Sequence, residues 1–180
     1  VPGHEVRIVN ENGEIIKEPG LDGEIIVKSD TPVSFLEYWE NDKATKQKVK
    51  NGWLHTGDFA YKDDEGYFYF KGREDDIINT SGYRVGPSEV EDAILSHSEV
   101  SMVAVIGVPD KLRGQIIKAF IVPDDQNNVL TQNDKLKQSI QNHVKLKLAV
   151  HEYPRLIEFL YELPLTTTGK IIRKDLRENN

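Results

Sequence analysis

The sequence predicts an α+β protein in two parts, and three observations predict it. Short β-prone runs separated by Gly, Asn and Asp turns fill residues 1–72. From residue 75 to 180, apolar runs alternate with amphipathic helical segments, the pattern of a small α/β sandwich. The change from one pattern to the other falls at 72–76, which sets a boundary there.

In the first part, residues 5–9 and 23–28 are predicted strands around the turn-rich "ENG" and "EPGLDG". Residues 37–51 are polar with a few apolar positions and predict a short helix ending near Asn51-Gly52. "WLHTGDFAYKDDEGYFYFKGR" predicts two strands around a turn at Asp64-Glu65-Gly66, with a strongly β-prone run at Tyr67, Phe68, Tyr69 and Phe70. In the second part, "PSEVEDAILSH" predicts a helix. Pro87 suits a first turn, where its missing N–H is not needed. Ser88 and Glu91 have capping-box spacing, and Val90, Ala93, Ile94 and His97 share one face. "MVAVIGV" (102–108), "IIKAFIV" (116–122) and "RLIEFL" (155–160) predict the buried strands of an about three-stranded sheet. Thr131 and Asp134 mark the start of a second helix carrying Leu136, Ile140 and Val144. Ile172–Arg177 predicts a short final helix.

The 180 residues are 38% hydrophobic and 29% charged, which fits folded domains rather than a disordered chain. A net charge of −7 argues against a duplex nucleic-acid partner. The absence of Cys removes disulfides, thiolate metal sites and Cys nucleophiles, and suits a reducing compartment. No apolar run approaches the ~20 residues of a membrane span. No signal peptide is visible, so a cytoplasmic location is expected. The sequence starts abruptly in strand-like "VPGHEVRIV" without an initiator Met and is expected to be part of a longer protein.

Several short stretches carry candidate chemistry. "PLTTTGKII" contains Lys170 after a Thr run and Gly169, but it does not match G-x-x-x-x-G-K-[ST], so it is not a P-loop. By pattern alone Lys170 is a solvated turn lysine or a phosphate ligand. "GREDDIINTSGYRVGPSEVE" packs Arg73, Asp75, Asp76 and Arg84 into twenty residues. Each arginine offers a guanidinium fork to phosphate or ribose oxygens, and Ser81-Gly82 lets backbone approach a ligand. A charged turn with surface ion pairs is the competing reading. Asp58 in "HTGDFA" is either a strand-end acceptor for ribose hydroxyls or an ordinary turn aspartate. The doublets Asp63-Asp64 and Asp75-Asp76 are poor acid/base pairs, because adjacent strand residues face opposite sides. The five histidines, at 4, 55, 97, 143 and 151, show no metal-ligand spacing, so no metal site is expected. The basic run Lys170, Arg173, Lys174, Arg177 is a solvated helix face or an attractor of polyphosphate.

Taken in order, "GWLHTGDFAY", "GREDDIINTSGYRVGPSEVE", "GVPDKLRGQIIKAFIV" and "ELPLTTTGKIIRKDLR" resemble the adenylate-forming, AMP-binding enzymes. These include acyl-CoA synthetases, the adenylation domains of peptide synthetases and luciferases. The resemblance spans essentially the whole chain. "SGYRVGPSEVE" and "HEYPRLIEFLYELP" look most like the medium-chain acyl-CoA synthetases, while acetyl-CoA synthetases usually have His where Tyr83 stands. The family's phosphate loop, acyl pocket and Mg²⁺-holding Glu precede the region seen here.

The resemblance implies an architecture and a set of roles. Residues 1–72 would be the truncated, β-barrel-like end of a large N-terminal domain, 73–76 a hinge, and 77–180 a mobile C-terminal α/β domain. The implied reaction couples a carboxylic acid to ATP with Mg²⁺, giving acyl-adenylate and pyrophosphate, and then transfers the acyl group to CoA. Asp58 and Arg73 match ribose-contacting residues, Arg84 a residue near the phosphates, and Lys170 the lysine that bridges carboxylate and α-phosphate oxygens. Asp75 matches the hinge. Ser81, Gly82 and Tyr83 match the loop lining the pantetheine channel. Arg113, Lys145, Tyr153, Pro154 and Arg155 match CoA-nucleotide contacts, where a cation suits the 3′-phosphate. Val150 in "LAVHEYP" replaces a proline usual in relatives. The alternatives are a carrier-protein-loading adenylation domain, which needs no 3′-phosphate contacts, and a CoA- or nucleotide-binding module without catalysis. The 180 residues alone are expected to be inactive.

Overall fold

A computed structural model describes residues 3–31 and 34–178. The chain divides into two compact units, one ending at Asp75 and one beginning at Asp76.

The first unit is an antiparallel sheet of β1 (Val6–Val9), β2 (Gly23–Lys28), β3 (Val49–Lys50), β4 (Trp53–Lys62) and β5 (Phe68–Arg73). Its helix α1 (Asp42–Lys48) is shorter than the predicted 37–51 helix. Asn41 caps it through Ala44 N–H, and the chain re-enters the sheet at Val49. β4 is the longest strand and pairs with β2, β3 and β5. Two register shifts distort it. Against β2, the step from Glu24 to Ile26 spans His55 to Phe59 on β4, so Thr56, Gly57 and Asp58 bulge out of the ladder. Against β5, Phe59 pairs with Gly72 but Ala60 with Phe70, which leaves Lys71 as the extra residue. Phe59 and Ala60 are both buried with Ile8, Val9 and Ile26.

The second unit is a sheet with helices on both faces. It contains the hairpin β6 (Ile78–Thr80) and β7 (Tyr83–Val85), then α2 (Pro87–Leu95), β8 (Val100–Asp110), β9 (Gly114–Pro123), α3 (Asn127–Thr131), α4 (Asp134–Lys147), β10 (Leu156–Phe159) and α5 (Arg173–Glu178). β9 is central. It pairs antiparallel with β8 along its length, parallel with β10 over Lys118–Ile121, and with β6 at Thr80–Gly114. The apolar runs, interrupted in β9 only by Lys118, follow from burial on both faces. Val103, Val105, Ile117, Ala119 and Ile121 pack in one core with residues of α2 and α4. Their neighbours Ala104, Ile106, Phe120 and Val122 pack in a second core with Leu163 and with Leu176 of α5.

Three local expectations are corrected. The sheet has five strands rather than about three, because β6 and β7 are three-residue strands without an apolar run. The Ser88–Glu91 capping box does not form. Gly86 is the N-cap of α2, Pro87 opens the helix, and Glu91 is buried instead of reaching back to the helix start. The N-cap of α4 is Asn133, whose side chain accepts from Lys135 and Leu136 N–H, while Thr131 belongs to the preceding short α3.

Candidate functional site

Asp58 owes its position to the bulge in β4. Gly57 sits at φ +76, a conformation glycine adopts without steric penalty. The Glu24 carboxylate clamps the bulge from β2: Oε1 accepts Gly57 N–H at 3.0 Å, and Oε2 lies 2.7 Å from His55 Nδ1. Thr56 Oγ1 donates to Ile25 O at 2.7 Å and accepts Asp58 N–H at 3.0 Å. Lys48 Nζ donates to Thr56 O at 3.1 Å. The bulge displays Asp58 beside Arg73, its register partner on β5, and Arg73 Nη1 donates to Asp58 Oδ1 at 2.9 Å. Arg73 Nε lies 3.4 Å from Asp75 Oδ1. All three side chains are solvent-accessible, at 37% for Asp58, 49% for Arg73 and 71% for Asp75. The pattern of motifs found Asp58, Arg73 and Asp75. It did not find Glu24, His55 or Thr56, because a glutamate and a threonine in a strand carry no local signature of clamping.

In the second unit, the residues singled out between 81 and 155 gather at the end of the sheet where β9 and β10 begin. Ser81 at φ +52 and Gly82 at φ +84 form the tip of the β6–β7 hairpin, and Ser81 N–H donates to Arg113 O at 2.9 Å. This joins the tip to the β8–β9 turn, where Arg113 N–H donates to Asp110 Oδ1 at 2.8 Å. Tyr83 stacks on His151 at 3.8 Å between centroids and 12° between planes. Lys145 Nζ, from the last turn of α4, lies 4.3 Å from the ring centroid of Tyr153 in the α4–β10 connection, and Arg155 Nη1 donates to Tyr153 Oη at 2.8 Å. Gln141 Nε2 donates to both Pro154 O and Arg155 O, which fixes this turn. Arg155 N–H donates to Ile117 O on β9. The result is one edge carrying guanidinium, ammonium, phenol ring and left-handed backbone. His151 was not foreseen; a lone histidine has no sequence signal for a stack on Tyr83. Arg84 is exposed on β7 opposite Asn79.

Lys170 lies on a separate loop with dense internal bonding. Thr166 N–H donates to Lys170 O at 2.8 Å, Lys170 N–H donates to Thr166 Oγ1 at 3.0 Å, and Gly169 N–H donates to Thr166 O at 2.9 Å. Leu165 and Ile171 bridge across the loop, and Ile172 N–H donates to Pro164 O. Gly169 at φ +81 makes the turn. The lysine is exposed, and no carboxylate pairs with its ammonium among the described residues. The neighbouring cations differ. Arg173 is held by Glu91 through Nη2 at 2.7 and 2.8 Å, and Arg177 by Asp76.

Among the described residues, no three His, Asp or Glu side chains converge as a metal-ligand group, and no helix is long and apolar enough to cross a membrane.

These geometries occur in a fold shared with CoA ligases. The structure superposes on the anthranilate CoA ligase AuaEII, solved with anthranoyl-AMP, with a TM-score of 0.87 and 36% identity, covering 99% of this chain and 33% of that one. Similar sequences include YtcI of Bacillus subtilis, named as an uncharacterized acyl-CoA ligase, 46% identical over 177 residues, covering 98% of this chain and 33% of that protein. They also include the mitochondrial acyl-coenzyme A synthetase ACSM3 of Rattus norvegicus, 44% identical, covering 98% of this chain and 30% of that protein. Residues 89–170 match the AMP-binding enzyme C-terminal domain. Residues 89–170 thus carry the C-terminal domain of AMP-binding enzymes, and the likeness to acyl-CoA ligases and synthetases runs along 98% of the chain. The chain spans about a third of the length of the curated relatives it matches.

Proposed function

We propose that the chain is the C-terminal portion of an ATP-dependent acyl-CoA synthetase, of the medium-chain kind. The observation that carries this is a likeness over 98% of the chain to proteins named as acyl-CoA ligases and synthetases. In the proposed reaction a carboxylate oxygen attacks the α-phosphate of ATP, forming acyl-adenylate and releasing pyrophosphate. The CoA thiol then attacks the acyl carbonyl, the thiol proton is lost, and AMP leaves.

The part proposed for each residue is the one the family resemblance implies, and its surroundings are compatible with it. Asp58, displayed by the clamped bulge, accepts ribose hydroxyls, and Arg73 donates to the same sugar while its pairing with Asp58 keeps both oriented. Arg84 approaches the phosphates. Lys170 presents an uncommitted ammonium on a pre-bonded loop to the carboxylate and α-phosphate oxygens. Negative charge concentrates there in the transition state, so a fixed cation lowers the barrier more than it tightens substrate binding. Asp75 is the hinge residue between 73 and 76, about which the domain of residues 77–180 turns between half-reactions. The Ser81–Tyr83 tip lines the pantetheine path. Arg113, Lys145 and Arg155 meet the CoA nucleotide, with Tyr153 and Pro154 shaping the turn beneath it. Mg²⁺ would accompany ATP and neutralise charge on its phosphates.

The test is Lys170→Ala in the full-length protein, with the half-reactions measured separately. Acid-dependent pyrophosphate exchange should fall by about 10²–10³, the typical loss for one transition-state donor. Thioester formation from supplied acyl-adenylate should survive. Equal loss of both half-reactions refutes the assignment.

A further inference from the structure

Glu91, Asp76, Arg173 and Arg177 form a part-buried charge cluster that the proposed chemistry does not use. Glu91 lies on the inner face of α2 and is 9% exposed. Its Oε1 accepts Val105 N–H from the open edge of β8 at 2.8 Å and Arg173 Nη2 at 2.7 Å; Oε2 accepts Arg173 Nη2 at 2.8 Å. Arg173 Nη1 lies 3.6 Å from Asp76 Oδ2, and Arg177 Nη2 donates to Asp76 Oδ1. Both carboxylates are 12% exposed at the side chain. Two carboxylates face two guanidiniums, so the cluster is formally neutral. It joins α2, β8, the first residue of the second unit and both turns of α5.

This wiring begins three residues after Lys170. The backbone from Pro164 to Ile172 is closed on itself by the Thr166–Lys170 bonds and the Leu165–Ile171 bridge, so the loop moves as one piece. α5 begins at Arg173, the third residue after Lys170. A six-residue helix is too short to hold its own position in water, so tertiary contacts fix it. Those contacts are Leu176 in the second core and the two arginines in the cluster, while Ile171, next to Lys170, packs against the same core. Arg173 can satisfy two carboxylates at once because its guanidinium is a planar fork.

We propose that Glu91 and Asp76, acting through Arg173 and Arg177, are positioning residues that fix the Lys170 ammonium for adenylation. This rests on the adenylation role given to Lys170 above. A cluster that only stabilised the fold would affect both half-reactions alike, whereas one that aims Lys170 affects the first.

The experiment compares Glu91→Gln, Arg173→Met and Arg173→Lys with Lys170→Ala in the full-length protein. Folding is checked by circular dichroism and melting, and both half-reactions are measured. A displacement on the order of 1 Å at a reacting group reduces rate by about a hundredfold. Glu91→Gln and Arg173→Met should therefore lower adenylation kcat by about 10–100-fold, with ATP KM and thioester formation from supplied acyl-adenylate within about twofold of wild type. Arg173→Lys, which keeps the charge but not the fork, should recover part of the loss. Should Glu91→Gln fail to fold, Arg177→Gln, on the more exposed arginine, carries the same expectation. Unchanged adenylation in the folded variants, or equal loss in both half-reactions, overturns the inference. If Lys170→Ala itself spares adenylation, the functional assignment of Lys170 fails first. If Lys170→Ala is selective and the cluster variants are not, only the positioning role fails.

Discussion

Replacing Gly57 by Ala separates backbone strain from its effect on a ligand site. Gly57 adopts φ +76 at the centre of the β4 bulge. A β-carbon there is strained by about 1–2 kcal/mol, as for any L-residue held left-handed. It would also stand 3.0 Å from Arg73 Nη2 and 3.5 Å from Lys48 Nζ. Both atoms are the far ends of flexible side chains, so they move aside instead of blocking the fold. The Arg73–Asp58 pair is half-exposed, and loosening it subtracts at most about 1 kcal/mol of stability. For a bound nucleotide the displaced guanidinium matters more, because a hydrogen bond involving a charged group contributes about 1.5–3 kcal/mol. Partial loss corresponds to an ATP KM raised about tenfold. Gly66→Ala is the control. Gly66 sits at φ +94 in the β4–β5 turn, with no neighbour closer to a new β-carbon than Lys62 Cε at 3.6 Å. Melting of the chain should show about 1–2 kcal/mol of destabilisation for Gly66→Ala and at most about 1 kcal/mol more for Gly57→Ala. Pyrophosphate exchange by the full-length protein should show a raised ATP KM for Gly57→Ala alone. An equal rise in both variants, or none in Gly57→Ala, refutes the reasoning.

Two further predictions concern the second unit. The double variant Arg113→Ala, Lys145→Ala should raise the CoA KM by about tenfold or more, through loss of charged contacts to the 3′-phosphate, with adenylation intact. Dephospho-CoA should show no such difference between wild type and variant, and an unchanged CoA KM refutes the assignment. His143, packed between Ser96, His97 and Lys147, is held below its ordinary pKa of 6.5 by burial first, then by Lys147 and His97. The unfolded chain therefore binds the proton more readily, so this contribution to stability is present above the ordinary pKa and lost as pH falls below it. Between about pH 7.5 and about pH 5.5, His143→Gln should lose less melting temperature than wild type, whereas parallel losses would contradict the assignment.

What was legible in the sequence was whatever one segment decides alone. "MVAVIGV" and "IIKAFIV" read as strands because β8 and β9 bury residues on both faces, so most positions in each run report burial. Pro87 marked its helix because φ restriction and the missing N–H act at one residue. Where distant segments decide, the local signal misled. Glu91 has the spacing of a cap, yet its partners are Val105 and Arg173, the latter 82 residues away, and pairing with them outcompetes the helix start. The Thr56–Asp58 bulge is invisible locally because the residue that clamps it, Glu24, lies on β2. The β6–β7 hairpin was missed because pairing with β9 at Gly114, rather than an apolar run, makes it part of the sheet. Lys170 stood out only when its motif was read in order with those of Asp58, Arg73 and Arg84.

The basic run at the end of the chain shows why charge density alone could not identify the candidate lysine. Lys170, Arg173, Lys174 and Arg177 read as one cationic face able to attract polyphosphate. The fold separates them by partner. Arg173 and Arg177, four apart on α5, point to the same side and are neutralised by Glu91 and Asp76. Lys174 points outward, 3.6 Å from Glu178. Lys170 alone of the four has no carboxylate partner among the described residues. Residue type follows the same division. The two positions that face the part-buried carboxylates carry a planar fork suited to several acceptors at once, and the exposed loop carries a compact ammonium suited to a single developing charge. Three of four cations are thus committed to structure, and the two arginines among them hold the segment from which the fourth projects.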